Sequence, residues 1–317
     1  METSTSAESG LQISTSQSPR GTWEILTGED KALPITDASS SGDLVSLQTL
    51  LSQPQWSKAM FDKQRTIYYV TRTLAINHED TLSDGQTREV SSMLLTNLVR
   101  VATIAALKGH AAIVTTLLAF AAQHGVKASE VIWRMAVWKI ILAGHADVIE
   151  AIVRAWPGFM RWDIDHGNRP LYEAVRRGRP KVVAVLLKLG ADPFDSYAYR
   201  KVNLMHLAAK GNGPRMIELL LDHGVPIADT QAIHSAASVG QNDTIRFLME
   251  HGADVNEISS NGDTPMHHAA HFGRTDTMAF LEIIGANPGA KNDRGETPAE
   301  KYERVKEEKQ VYWTRHL

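Results

Sequence analysis

The chain has 317 residues, 43% of them hydrophobic and 22% charged, and its net charge of -3 excludes a polycation built for nucleic acid. It has no cysteine, which excludes disulfides, thiolate metal sites and cysteine nucleophiles and favours a reducing compartment. The charge is uneven: residues 154–215 hold twelve Lys/Arg against five Asp/Glu, a local +7 that leaves -10 for everything else.

Met1 to Arg20 is rich in Ser and Thr, carries Glu2 and Glu8, and has no apolar segment. It fits neither a secretory signal nor a mitochondrial presequence, so residues 1–21 are expected to be a disordered tail. No apolar run reaches the length of a membrane span, and a soluble protein of cytoplasm or nucleus is expected. Residues 22–297 then read as one repetitive array. Within it, residues 53–100 are the least regular. Asp62 to Asn77 predicts a helix, His78 to Gln86 a loop, and Arg88 to Thr96 a short helix. Two readings stand: an inserted loop within a degenerate repeat, or a helical insertion.

Further along, paired small residues recur: Ala105-Ala106, Ala174-Val175, Ala208-Ala209, Ala236-Ala237 and Ala269-Ala270. Aligning on the position three residues after each pair gives Gly42, Gly109, Gly144, Gly178, Asn212, Gly240 and Gly273, with spacings of 67, 35, 34, 34, 28 and 33. The first spacing is twice the period, so the array counts about eight units. The period of 28 removes about five residues around Val225 to Gln231, which predicts a short loop there. The fullest motif is Thr264-Pro265-Met266-His267-His268-Ala269-Ala270, and Gly295-Glu296-Thr297-Pro298 repeats its start. Thr264 can cap a helix that Pro265 opens, and Gly273 suits the left-handed residue that ends it. A second helix follows in each unit, apolar at helical spacing, as in Val182, Val183, Leu186 and Leu187. Residues 298–317 read as a charged helix capping the open end.

These residues resemble the ankyrin repeat, whose pattern is roughly T-P-L-H-x-A-A-x-x-G-H, an apolar helix, then G-A-D. The resemblance implies an all-α solenoid of stacked helix-turn-helix repeats joined by short β-hairpins or loops.

No motif for catalysis appears. The sequence lacks a phosphate-binding loop, a nucleophile elbow, an H-E-x-x-H helix and a dinucleotide fingerprint, and no cofactor is expected. His267 and His271 lie one helical turn apart, as metal ligands can. The resemblance instead makes His267 a structural residue of the repeat and His271 a surface one, so no metal site is expected.

By the same resemblance, partners bind the concave side, where the two variable positions after each small pair face the groove. There stand Leu107, Leu142, Arg176, Arg177, Lys210, Val239, His271 and Phe272, the candidate partner-binding residues. Arg176, Arg177 and Lys210 form an expected exposed basic cluster, and Trp133, Trp138, Trp156 and Trp162 fall in the same part of the chain. Arginine and aromatic residues are enriched at binding hot spots. The expected function is a non-enzymatic adaptor for a protein with an acidic segment, with no direct contact to nucleic acid or membrane. A transcription coregulator, or a cap on an enzyme, would use the same groove.

Overall fold

The computed structural model describes residues 23–26, 34–72, 87–164, 168–194, 203–211 and 213–316. The expected tail, the loop at His78 to Gln86 and Asn212 lie outside them.

The first helix pair is α1 (Pro34–Ser41) and α2 (Leu44–Leu51). A short α3 (Pro54–Ala59) leads into a sheet of order β1-β2-β3, made of β1 (Trp23–Leu26), β2 (Lys63–Arg72) and β3 (Thr87–Thr96). Next come α4 (Asn97–Leu107) with α5 (Ala111–Gln123), the single turn α6 (Ala128–Val131), and α7 (Arg134–Ala143) with α8 (Ala146–Ala155). A 3-10 turn at Pro157–Arg161 precedes α9 (Pro170–Arg176) and α10 (Pro180–Lys188). The last pairs are α11 (Leu204–Ala209) with α12 (Pro214–Leu221), α13 (Ala232–Val239) with α14 (Asn242–Glu250), and α15 (Pro265–His271) with α16 (Thr275–Ile283). Helix α17 (Pro298–His316) stacks on α15.

The first helices pack in series, α1 on α4, then α7, α9, α11, α13, α15 and α17; the second helices from α2 to α14 form a parallel row. The fold is therefore an all-α solenoid that carries one small antiparallel sheet.

The sheet corrects the reading of residues 53–100. Within the two stretches expected to be helices, Lys63 to Arg72 and Arg88 to Thr96 are strand; residues 73–77 lie outside the described residues. Lys63 pairs with Thr96 and Arg72 with Thr87 in a ten-residue antiparallel register. The run Thr66-Ile67-Tyr68-Tyr69-Val70-Thr71 is β-branched or aromatic throughout, which suits a pleated strand better than a helix. Nor do the described residues of this stretch form a degenerate helix pair. Helices α1 and α4 touch directly, so the spacing of 67 is one repeat interrupted by an insertion. The strands join the array at their base, where Asn97 Nδ2 donates to Ala59 O at 2.8 Å and Asn97 N to Asp62 O at 3.0 Å.

Neighbouring units are tied by side chains that reach back to the end of the preceding first helix. His110 Nε2 donates to Ser40 O at 3.1 Å, His145 Nε2 to Leu107 O at 3.0 Å, and Arg274 Nε to Ser238 O at 3.2 Å. These carbonyls have no acceptor role inside their own helices. The glycines are required by the same contact. A Cβ on Gly42 would lie 2.8 Å from the His110 ring, one on Gly109 2.8 Å from His145, and both residues have positive φ. The paired alanines line the seams between first helices; Ala208, Ala209, Ala236 and Ala237 are fully buried.

The shortened loop before α13 is tight. Asp229 (φ 61°) and Gln231 (φ 55°) adopt left-handed backbone without being glycine, and Thr230 Oγ1 donates to Ile227 O at 2.5 Å. At the far end Asp263, 2% exposed, accepts from Lys301 Nζ of α17 at 2.5 Å and from Asn292 Nδ2 at 2.9 Å. Burial alone would push the Asp263 carboxyl up, but Lys301 and Asn292 outweigh it and hold the group below its ordinary value.

Two outcomes follow from this packing. Ala208→Arg forces bulk and charge into a closed seam and should cost about 3 kcal/mol; an unchanged melting temperature would place Ala208 elsewhere. Asp263→Ala strands the Lys301 ammonium and should cost ~3–5 kcal/mol in chemical denaturation, most of it restored by adding Lys301→Met. Because the folded Asp263 pKa is depressed, its contribution is full above the ordinary carboxylate range and is lost as pH falls through the folded value.

Candidate binding face

Each candidate residue lies at the C-terminal end of a first helix. Leu107 ends α4, Leu142 lies in the last turn of α7, Arg176 ends α9 and Arg177 caps it. Lys210 caps α11, Val239 ends α13, His271 ends α15 and Phe272 caps it. Because those helices pack in series, stacking brings the eight residues into one row, although 165 residues separate the first from the last. Arg176, Lys210, His271 and Phe272 are exposed, while Leu107, Leu142, Arg177 and Val239 are half-buried. Phe272 stacks edge-on against His271 with ring centroids 4.8 Å apart.

The basic cluster differs from the expected one. Arg176 and Arg177 both fold back onto Glu173, one turn earlier in α9, at 2.7 and 2.8 Å. The Glu173 side chain is only 5% exposed. Burial would raise its pKa; the two guanidiniums outweigh burial and hold it below the ordinary value. The pair of arginines is thus anchored, and its local charge is partly neutralised.

The tryptophans divide. Trp156 and Trp162 pack on each other at 4.9 Å around the fully buried Phe159, on the 3-10 turn between α8 and α9. Trp138, in α7, lies instead with Arg177 and Lys139: the Arg177 Cζ is 5.8 Å and the Lys139 Nζ 5.9 Å from its ring centroid. Sequence reading left Lys139 out because it precedes the small pair of its unit. A cavity of about 310 Å³ opens between the 3-10 turn and the end of α10, lined by Pro157, Met160, Leu171 and Asp192 among others, and none of the eight row residues reaches it.

Comparison with known proteins identifies the repeat. Residues 166–196 match the ankyrin-repeat family, and residues 203–295 match three tandem copies of it. This is an ankyrin-repeat protein. The chain is 32% identical over 104 residues to the transient receptor potential channel pyrexia of Drosophila melanogaster, covering 32% of this chain and 11% of that protein. It is 32% identical over 93 residues to the E3 ubiquitin-protein ligase KEG of Arabidopsis thaliana, covering 28% and 6%. Only a small part of each relative is therefore shared. In structure it resembles the ankyrin repeat domain of Bcl-3, with a TM-score of 0.52 and 22% identity over 63% of this chain and 92% of that one, a likeness of fold.

The ankyrin histidines stand on the same first helices. Thr264 N donates to His267 Nδ1 at 3.1 Å, which makes Nδ1 the acceptor and leaves Nε2–H to donate to Glu296 O at 2.9 Å. With both ring nitrogens engaged, His267 has no lone pair for a metal, and among the described residues no cluster of three His, Asp or Glu is arranged to hold one. One unit back, His234 Nε2 bonds Asp263 O at 3.1 Å, and the His268 ring lies 5.0 Å from that of His234. Ser235 Oγ lies 2.7 Å from His206 Nδ1.

Burial pushes the imidazoles of His206, His234, His268 and His271 down in pKa. Lys210 adds to it at His206, and Lys301, Lys309 and Arg304 add to it at His271. At His234 burial prevails although the Asp263 carbonyl and carboxylate oppose it. His268 is driven from 6.5 to about 4 by burial, with His234, Lys301 and His271 helping. The sign follows. Between pH 6.5 and about 4 the unfolded chain takes up protons that the folded one refuses, so stability falls as pH falls. His268 alone should account for about 2 kcal/mol after allowing for its partial exposure. Hydrogen exchange should show α11 to α17 loosening between pH 6.5 and 4.5, above the window in which Glu173 and Asp263 protonate. A His268→Gln variant should lose less, and equal loss would remove this imidazole from the account.

Proposed function

We propose that this ankyrin-repeat protein is a non-enzymatic adaptor that binds a protein partner along the row of first-helix ends, in the cytoplasm or the nucleus. The observation that carries the reading is the row itself. Six consecutive first helices, α4 to α15, end in side chains that share one edge and combine aliphatic, aromatic and cationic groups. Their helix interiors are spent on the seams, so these ends are free to vary without loss of fold. Among the described residues no helix is long and apolar enough to cross a membrane.

The relatives support the same reading. A channel and a ubiquitin ligase differ in the activities their names state, and what each shares with this chain is a stretch of about 100 residues of repeats. A segment reused in such different settings serves recognition more readily than one chemistry.

The test is affinity capture from native extract with quantitative mass spectrometry, using wild type, the double variant Leu142→Gln/Phe272→Ser, and Ile283→Ser. Ile283 is 83% exposed but ends α16, in the other helix of its pair. Proteins enriched by wild type should survive Ile283→Ser and fall at least tenfold with the double variant, with circular dichroism confirming that both remain helical. Enrichment that the double variant leaves unchanged would move the binding face off this row.

A further inference from the structure

His234 and His267 hold the same place in consecutive units, and their rings differ in one bond. His267 Nδ1 accepts from Thr264 N, three residues earlier, at 3.1 Å. Three residues before His234 stands Gln231, whose backbone is left-handed at φ 55° in the shortened loop. It makes no such bond, and His234 Nδ1 has no hydrogen-bond partner although the side chain is only 1% exposed. Because Nε2–H donates to Asp263 O, Nδ1 carries the lone pair. The atom it faces is also an acceptor: Glu257 Oε2, 3.6 Å away, in the loop between α14 and α15. Nothing larger than a proton fits between two atoms at that distance.

We infer that His234 and Glu257 share one proton, which latches the α14–α15 loop to α13 when it is taken up and frees the loop when it leaves. With the proton in place one atom donates and the other accepts. A charge-assisted bond of ~2.7–2.9 Å then needs the loop to close by under ~1 Å. Burial, then Asp229 and Asp254, hold the Glu257 carboxyl above its ordinary value. Burial holds His234 below its own, although the Asp263 and Glu257 carbonyls oppose it. The ordinary values of 4.5 and 6.5 are thus drawn together, and the proton belongs to the pair. Other titratable groups approach from each neighbouring element. His206 comes from α11, which Lys210 caps, and His268 from α15, its ring 5.0 Å from that of His234. The Asp263 carboxylate is held by Lys301 of α17, and Asp243, Arg246 and Glu250 of α14 are exposed. The latch therefore engages as pH falls through the pKa of the pair and releases as pH rises through it.

The experiment compares the full chain with its Glu257→Gln and Glu257→Leu variants at about pH 7.5 and about pH 4.5. A glutamine amide donates to Nδ1 at either pH and keeps the latch shut, whereas leucine cannot form it. Circular dichroism confirms that each protein stays helical under both conditions. In nitrogen-15 NMR assigned through the backbone, His234 Nδ1 of the wild type should move toward the protonated range on acidification, with Nε2 protonated throughout. In Glu257→Gln it should hold still. Hydrogen exchange then reads the loop through the amides of residues 257 and 259, bonded to Asp254 O and Asp263 O. The two variants should differ at least threefold, the wild type matching Glu257→Leu at the higher pH and Glu257→Gln at the lower. Comparison at one pH cancels the general loosening of α11 to α17. A wild type that follows the same variant at both pH values overturns the inference, as does a His234 Nδ1 that titrates unchanged in Glu257→Leu.

Discussion

A short helix ends with carbonyls that nothing inside it can satisfy, and in this array the next unit satisfies them. His110 reaches Ser40 O, His145 reaches Leu107 O and Arg274 reaches Ser238 O, each across a repeat boundary. A carbonyl buried without a partner would cost on the order of 1–3 kcal/mol, so each unit depends on its successor for more than apolar cover. The glycine at the turn is part of the same contact, because the incoming ring occupies the space of a Cβ. Helix ending, turn residue and stacking partner are therefore one constraint. It explains why helices of six to eleven residues, too short to persist alone, are stable in series.

That dependence also shows where the array tolerates change. The insertion carrying β2 and β3 enters between α2 and α4, yet His110 still bonds Ser40 O, 70 residues away in sequence. Seventy residues of separation do not matter to a contact made after stacking; the chain only has to leave and return at the same boundary. The end of the array uses a different device. At α17, Asp263 gathers His234, Asn292 and Lys301 from three separate segments. A buried ion pair there secures the last helix, and it ties that helix to pH in a way that the neutral carbonyl contacts do not.

The period, the caps and the seams were legible in the sequence because backbone geometry dictates them. A left-handed turn calls for Gly, a helix start for Thr-Pro, and a closed seam for Ala. The inserted strands were misread although the β-branched and aromatic run Thr66 to Thr71 pointed to a strand; what sequence could not give was the register with the partner strand. The eight row residues were legible as positions, but their electrostatics were not. Glu173 sits three and four residues before Arg176 and Arg177, the spacing of a helical ion pair, and that signal was available. What sequence could not give was its burial, which turns an exposed surface pair into a fixed anchor.

The middle of the row and its α13–α15 end differ chemically, and the repeat position that faces the neighbouring unit differs with them. Toward α13 and α15 the first helices bond their neighbours through histidines such as His234 and His267, fully buried and paired to backbone carbonyls. Neither helix carries a Lys, Arg, Asp or Glu. At α7 Trp138 takes the histidine's place. An indole donates through one nitrogen only and has a ring face that attracts cations, and Lys139 of α7 and Arg177 at the end of α9 both lie within 6 Å of it. The units of α4, α7 and α9 carry Thr103, Trp138 and Tyr172 where those of α11, α13 and α15 carry His206, His234 and His267, so the histidine at this position belongs to the later units. A side chain committed to its neighbour's carbonyl is not available to a partner, which is why recognition is proposed for the helix ends and not for this position.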